Sequence, residues 1–152
     1  MIVPNFTLLD QDEKTHSLKD YLGKWVIIYF YPRDDTPGCT TEACTLKDNF
    51  PKFEKLNAVV LGISADSTKS HKKFAQKYNL PFTLLFDPDK EVIKLFGVWK
   101  EKSMYGKKYM GISRETFLIN PQGEIQKHYE NVKPAEHAEE VLRDLEELGK
   151  IK

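Results

Sequence analysis

Trp25-Val26-Ile27-Ile28-Tyr29-Phe30-Tyr31 is a continuous apolar run closed by Pro32, and Ala58-Val59-Val60-Leu61-Gly62-Ile63-Ser64 is a second. Neither alternates apolar with polar residues, as a strand with one wet face would, so both read as strands buried on both faces in the middle of a sheet. Between them, Thr40 to Phe50 carries Ala43, Leu46, Lys47 and Phe50 at helical spacing, with Glu42 in the expected first turn, where the helix dipole favours a carboxylate. Strand, loop, helix and strand follow one another as a βαβ unit. Pro51 removes a backbone donor and disfavours helical angles at Phe50, which predicts a kink or break there.

The alternation continues outward. Asp66 to Tyr78 reads as a helix with Phe74, Ala75 and Tyr78 on one side, and Thr83 to Asp87 as a short strand closed by an Asp-Pro-Asp turn. Glu115 to Asn120, the turn Pro121-Gln122-Gly123 and Glu124 to Tyr129 read as strand, turn and strand. Pro134 is expected to open a last amphipathic helix through Val141, Leu142, Leu145 and Leu148. On the N-terminal side, Ile2 to Leu9 is extended and Asp10 to Lys14 is a polar hairpin turn. Lys100 to Gly111 is the only long stretch without a clear element, and so a candidate active-site loop. The expected class is α/β, a central mixed β-sheet flanked by helices on both faces, in one domain over residues 1–152.

The 152 residues, 40% of them apolar, suffice for one core and are too few for two ordinary domains. Lys plus Arg and Asp plus Glu both total 23, so no net field draws in nucleic acid or an anionic membrane. The longest apolar run falls far short of the ~20 residues that span a bilayer, and the N-terminus lacks a basic segment followed by an apolar one. The expectation is a soluble, cytoplasmic protein acting on a small substrate. In a reducing compartment the closely spaced Cys39 and Cys44 are an improbable structural staple, which leaves redox chemistry or metal binding. His16, His71, His128 and His137 are scattered among polar segments and read as solvated, so a Cys-x4-Cys pair without a nearby histidine argues against zinc.

The segment Tyr31-Pro32-Arg33-Asp34-Asp35-Thr36-Pro37-Gly38-Cys39-Thr40-Thr41-Glu42 leaves a buried strand and enters a helix. Cys39 therefore falls at or near a helix N-terminus, where unpaired amides and the positive dipole end favour a thiolate. Pro32 and Pro37 stiffen the loop, Gly38 admits close backbone approach, and Thr36 offers a hydroxyl three residues before the thiol. Taken alone, Cys39 reads as a small buried residue in a turn and Arg114 as a surface cation, and Glu42 reads as a favourable first-turn carboxylate at least as readily as a contact to Arg114.

Pro32-x-x-x-Thr36-x-x-Cys39 resembles the active-site pattern of the peroxiredoxins. Cys44, the stretch Phe96-Gly97-Val98-Trp99 and Arg114 opening Arg114-Glu-Thr-Phe-Leu-Ile119 are similar to the bacterioferritin-comigratory-protein or PrxQ subfamily. The resemblance implies a thioredoxin-like fold and a thiol peroxidase for hydrogen peroxide and organic hydroperoxides. It implies that Cys39 is oxidised to sulfenic acid, resolved by Cys44 as a disulfide, and re-reduced by thioredoxin. Thr36, Pro32, Gly38 and Arg114 would bind and polarise the peroxide, with Glu42 supporting Arg114, no metal or other cofactor, and a monomer or weak dimer. Two rivals stay open. A disulfide reductase of thioredoxin type would show Cys-x-x-Cys instead, and a non-enzymatic binding or redox-sensing module could use the same fold. With both cysteines on one regular helix, their Cα atoms would lie roughly 8.6 Å apart, so a disulfide requires the helix to unwind.

Overall fold

The computed structural model describes residues 2–150. In chain order they form β1 (Thr7–Asp10), β2 (Thr15–Ser17), β3 (Trp25–Phe30), α1 (Pro37–Asp48), α2 (Phe50–Lys55), β4 (Ala58–Ser64), α3 (Thr68–Tyr78), β5 (Thr83–Phe86), α4 (Glu91–Leu95), β6 (Trp99–Met104), β7 (Lys107–Ile112), β8 (Glu115–Ile119), β9 (Ile125–Tyr129) and α5 (His137–Lys150). Seven strands make one mixed sheet in the order β2-β1-β5-β4-β3-β8-β9. The two apolar runs are its centre: β3 pairs with β4 in parallel, Ile27 beside Val60, and with β8 antiparallel, Ile28 beside Phe117.

Because side chains alternate across a strand, β3 supplies both cores. Ile27, Tyr29 and the following Tyr31 pack with Ala43 and Leu46 of α1, Phe53 of α2, Phe74 of α3 and Leu145 of α5. Val26, Ile28 and Phe30 pack on the other face with Val92 and Ile93 of α4, Val98, Ile112 and Phe117. Helices therefore cover both faces, as the sequence predicts. Gly62 of β4 is dictated by this packing: a Cβ there would lie 2.7 Å from Tyr29 Cζ and 2.9 Å from Leu84 Cδ2.

Five expectations need correction. Lys100 to Gly111 is a β-hairpin, with β6 and β7 paired from Trp99–Ile112 to Met104–Lys107 and turned through Tyr105 and Gly106 at φ 53° and 79°. Two successive positive φ angles suit the tight turns that connect hairpin strands. The last helix opens at His137, not Pro134, because the amides of Glu136 and His137 both donate to the Lys133 carbonyl and close a turn first. α1 begins at Pro37, so Glu42 lies beyond the first turn. Two histidines expected in solvent, His71 and His137, are 0% and 1% exposed. The break expected at Pro51 falls at Asn49, between α1 and α2, with Pro51 in the first turn of α2.

Candidate active site

β3 ends at Phe30, and the loop that follows delivers Cys39 to the first turn of α1. Pro37 suits that turn, since its missing N–H would have had no helical partner. The first intrahelical bond runs from the Thr40 amide to the Thr36 carbonyl at 2.8 Å, which leaves the amides of Gly38 and Cys39 without an intrahelical acceptor. The positive end of α1 thus faces the Cys39 sulfur, whose residue is 1% exposed.

Arg114, on the bend between β7 and β8, closes the site from the other side of β3. Its Nη2 donates to Cys39 Sγ at 3.2 Å and its Nη1 to Glu42 Oε1 at 2.8 Å. Glu42 is wholly buried one helical turn after Cys39, and its Oε2 has no hydrogen-bond partner. Burial pushes the Glu42 carboxyl up to about 7 against the pull of Arg114. The same guanidinium explains Gly38, because a Cβ there would approach Arg114 Nη2 to 3.0 Å. The carboxylate of Glu42 orients Arg114 and does not serve as a first-turn dipole partner.

Thr36 caps α1 by position, yet its hydroxyl makes no capping bond and donates to the Arg33 carbonyl at 3.1 Å. Pro32 and Thr36 line a cleft of about 590 Å³ together with Trp99, Lys102, Tyr109 and Ile112 of the hairpin. The stretch expected to form an active-site loop therefore lies beside the site as paired strands. Burial and the charge of Arg114 push the Lys102 ammonium down. Cys44 is half-buried on the same helix as Cys39, and both thiols are free.

Pro32, Thr36, Gly38, Cys39, Glu42 and Arg114 thus converge, with Cys44 a helical turn and more away. Sequence reading missed Lys102, the buried Tyr29 hydroxyl that lacks a partner, and the interior position of His71. His71 had a signal: it precedes Phe74 and Ala75 by three and four residues, hence shares their buried face. Among the described residues, the group with metal-ligand spacing is Glu115, His128 and Glu130. It includes neither cysteine, and Lys100 Nζ already sits 2.8 Å from the buried Glu115 carboxylate.

Residues 2–128 match the family model described as the AhpC/TSA family. The chain is 45% identical over 146 residues to peroxiredoxin Bcp of Bacillus subtilis, covering 96% of this chain and 93% of that one. It is 46% identical over 146 residues to peroxiredoxin Bcp of Escherichia coli, covering 96% and 94%. Among solved structures, the bacterioferritin comigratory protein of Xanthomonas campestris, studied for alkyl peroxide reduction, superposes with a TM-score of 0.90 at 41% identity over 95% of this chain and 92% of that one. A cysteine-to-serine mutant of PrxQ from Xylella fastidiosa does so with a TM-score of 0.91 at 40% identity, covering 97% and 96%. The thioredoxin-like architecture implied by the motif is the one these structures share.

Proposed function

The chain belongs to the AhpC/TSA family and is a thiol-dependent peroxidase of the peroxiredoxin kind, and within that activity we propose that Cys39 is the residue that meets the peroxide. The observation that carries this reading is the 3.2 Å approach of Arg114 Nη2 to Cys39 Sγ at a helix N-terminus. Thiolate sulfur is the reactive nucleophile, and a guanidinium together with free helix amides places positive charge where negative charge must rest.

Cys39 Sγ attacks one oxygen of a hydroperoxide, the O–O bond breaks, and the alkoxide or hydroxide leaves as alcohol or water after taking up a proton. Cys39 becomes a sulfenic acid. The Thr36 hydroxyl spends its hydrogen on Arg33, so its lone pairs are left to accept from the peroxide O–H. The amides of Gly38 and Cys39 and the Arg114 guanidinium stabilise the departing oxygen. Pro32 supplies apolar wall, and Glu42 holds Arg114 in place. The Cys44 thiol then displaces hydroxide from the sulfenic sulfur, giving the Cys39–Cys44 disulfide and water, and a dithiol of thioredoxin type reduces it.

We infer that the chain works as a monomer. Its exposed large apolar side chains among the described residues, Ile2, Leu22, Leu95, Tyr105, Tyr109 and Met110, are spread over separate elements apart from the hairpin. Two free thiols suit the cytoplasm, where the redox poise keeps them reduced. No helix of the described residues is long and apolar enough to cross a membrane. The test is peroxide turnover with a dithiol reductant in the wild type, Cys39→Ser and Cys44→Ser. Loss of turnover in Cys39→Ser is expected, and its retention would move the chemistry to another residue.

A further inference from the structure

Asp34 and His71 form a buried pair beneath the loop that carries Pro32 and Thr36, with side chains 4% and 0% exposed. Asp34 Oδ1 accepts from the Tyr31 hydroxyl at 2.6 Å, and Oδ2 accepts from His71 Nδ1 at 2.7 Å and Ser70 Oγ at 2.8 Å. On its far side, His71 Nε2 faces the Leu85 carbonyl at 3.1 Å. The His71 ring thus bridges the Asp34 carboxyl group and the Leu85 carbonyl through its two nitrogens, with the Tyr31 hydroxyl also 3.3 Å from Nδ1. A buried His–Asp pair is weak evidence for stability, because desolvation offsets most of the attraction. Its location suggests positioning instead.

The neighbouring peptide unit shows what is positioned. The Asp34 amide donates to Asp66 Oδ2 at 2.6 Å, and the carbonyl of that same peptide, Arg33 O, accepts the Thr36 hydroxyl at 3.1 Å. The Arg33–Asp34 peptide plane is thereby held at both ends, and the Thr36 hydroxyl takes its direction from it. The next residue, Asp35, has a left-handed φ of 56°, uncommon without glycine, and is held by Lys77 Nζ at 2.8 Å and the Tyr78 hydroxyl at 2.7 Å. Helix α3 therefore grips both residues that lead into Thr36.

We propose that His71 and Asp34 are positioning residues of the peroxide site, fixing the Arg33–Asp34 peptide so that the Thr36 hydroxyl presents its lone pairs to the hydroperoxide. The proposal rests on the peroxidase reading above. It is tested in the Cys44→Ser background, where Cys39 is the sole thiol, by quenched-flow mass measurement of oxygen addition to Cys39 and by the rate of its alkylation with iodoacetamide. Asn carries its amide nitrogen where Nδ1 of histidine sits, and Gln where Nε2 sits, so His71→Asn keeps a donor to Asp34 and His71→Gln loses it. His71→Gln is expected to slow peroxide attack by at least about tenfold, with His71→Asn retaining most of the rate and alkylation little changed in both. Alkylation does not use the Thr36 hydroxyl, so a general loosening of the site would move both reactions together. Added to Thr36→Val, His71→Gln should cost nothing more, since both act through one hydroxyl. Should His71→Gln fail to fold, Ser70→Ala removes a single bond to Asp34 and is expected to give a smaller loss in the same direction. Unchanged peroxide attack in the folded variant, parallel changes in the two reactions, or full additivity with Thr36→Val would overturn the proposal. Absence of oxygen addition in the parent protein would instead overturn the peroxidase reading, and the proposal with it.

Discussion

Arg114 and Cys39, 75 residues apart in sequence, meet at 3.2 Å through Nη2 and Sγ. The other terminal nitrogen of that guanidinium is fixed 2.8 Å from a Glu42 oxygen. A planar fork can serve both groups at once, whereas the ammonium of lysine is a point charge on a flexible stem. Arg114→Lys is therefore expected to lower kcat/KM for hydroperoxide by at least about 100-fold, the scale of losing one fixed donor to developing negative charge. Steady-state turnover over a range of peroxide concentrations checks this, and near wild-type values would make Arg114 structural.

Glu42 gives the fold a pH dependence. Its folded pKa of about 7 lies above the ordinary 4.5, with burial the main cause. The folded state thus holds the proton more tightly than the unfolded chain. The stabilisation is full below about pH 4.5 and is lost as pH rises through about 7, on the order of 3 kcal/mol at most. Glu42→Gln stays uncharged, so denaturant midpoints from pH 5 to 8 should fall in the wild type relative to the variant. Parallel curves for the two proteins would contradict this.

Gly62 is a test of packing apart from chemistry. An alanine Cβ would come within 2.7 Å of Tyr29 Cζ and 2.8 Å of Tyr29 Oη, inside a core with no room to shift a ring. Gly62→Ala should destabilise by about 1–3 kcal/mol, lowering Tm by several degrees. An unchanged Tm in a calorimetric scan would show that the ring moves freely.

The centre of this fold was legible because β3 and β4 are buried on both faces, which leaves only apolar residues in Trp25 to Tyr31 and little ambiguity. The β6–β7 hairpin was not, since the side chains of Lys107 to Met110 all face solvent and give no alternation to read. Its turn also places Tyr105 at positive φ, where glycine or asparagine would have signalled a hairpin. At the site, Thr36, Gly38 and Cys39 are local and could be read from one segment. That segment alone does not give Arg114 as the partner of Glu42, which only the family resemblance supplied, because β8 returns antiparallel to β3 from 72 residues away. His71 was misread for a related reason: a polar residue on an apolar helix face announces burial, but its partner Asp34 lies in another element.

Cys39 and Cys44 both lie within α1, at roughly 8.6 Å between Cα atoms on regular helix geometry, whereas a disulfide needs about 4.4 to 6.8 Å. Joining them as a disulfide would therefore require the helix between them to unwind. The bonds that anchor its C-terminal half are Thr45 Oγ1 to Pro134 O at 3.1 Å and Lys47 Nζ to Tyr78 O at 2.8 Å. Amide exchange across Thr40 to Asp48 should be faster in the disulfide form than in the reduced form, while oxidised Cys44→Ser keeps the slow exchange. Identical exchange in reduced and disulfide proteins would place the two sulfurs within reach from the start.

The most direct measurement is a single turnover followed by mass. Reduced protein mixed with one equivalent of hydrogen peroxide should become two hydrogens lighter, with the Cys39 and Cys44 peptides joined, because the first oxygen leaves as water and the second leaves as water when the disulfide closes. In Cys44→Ser the same mixing should add one oxygen, located on Cys39, and Cys39→Ser should leave the mass unchanged. An oxygen found on Cys44 in the wild type, or rapid oxidation of Cys39→Ser, would contradict Cys39 as the residue that attacks the peroxide.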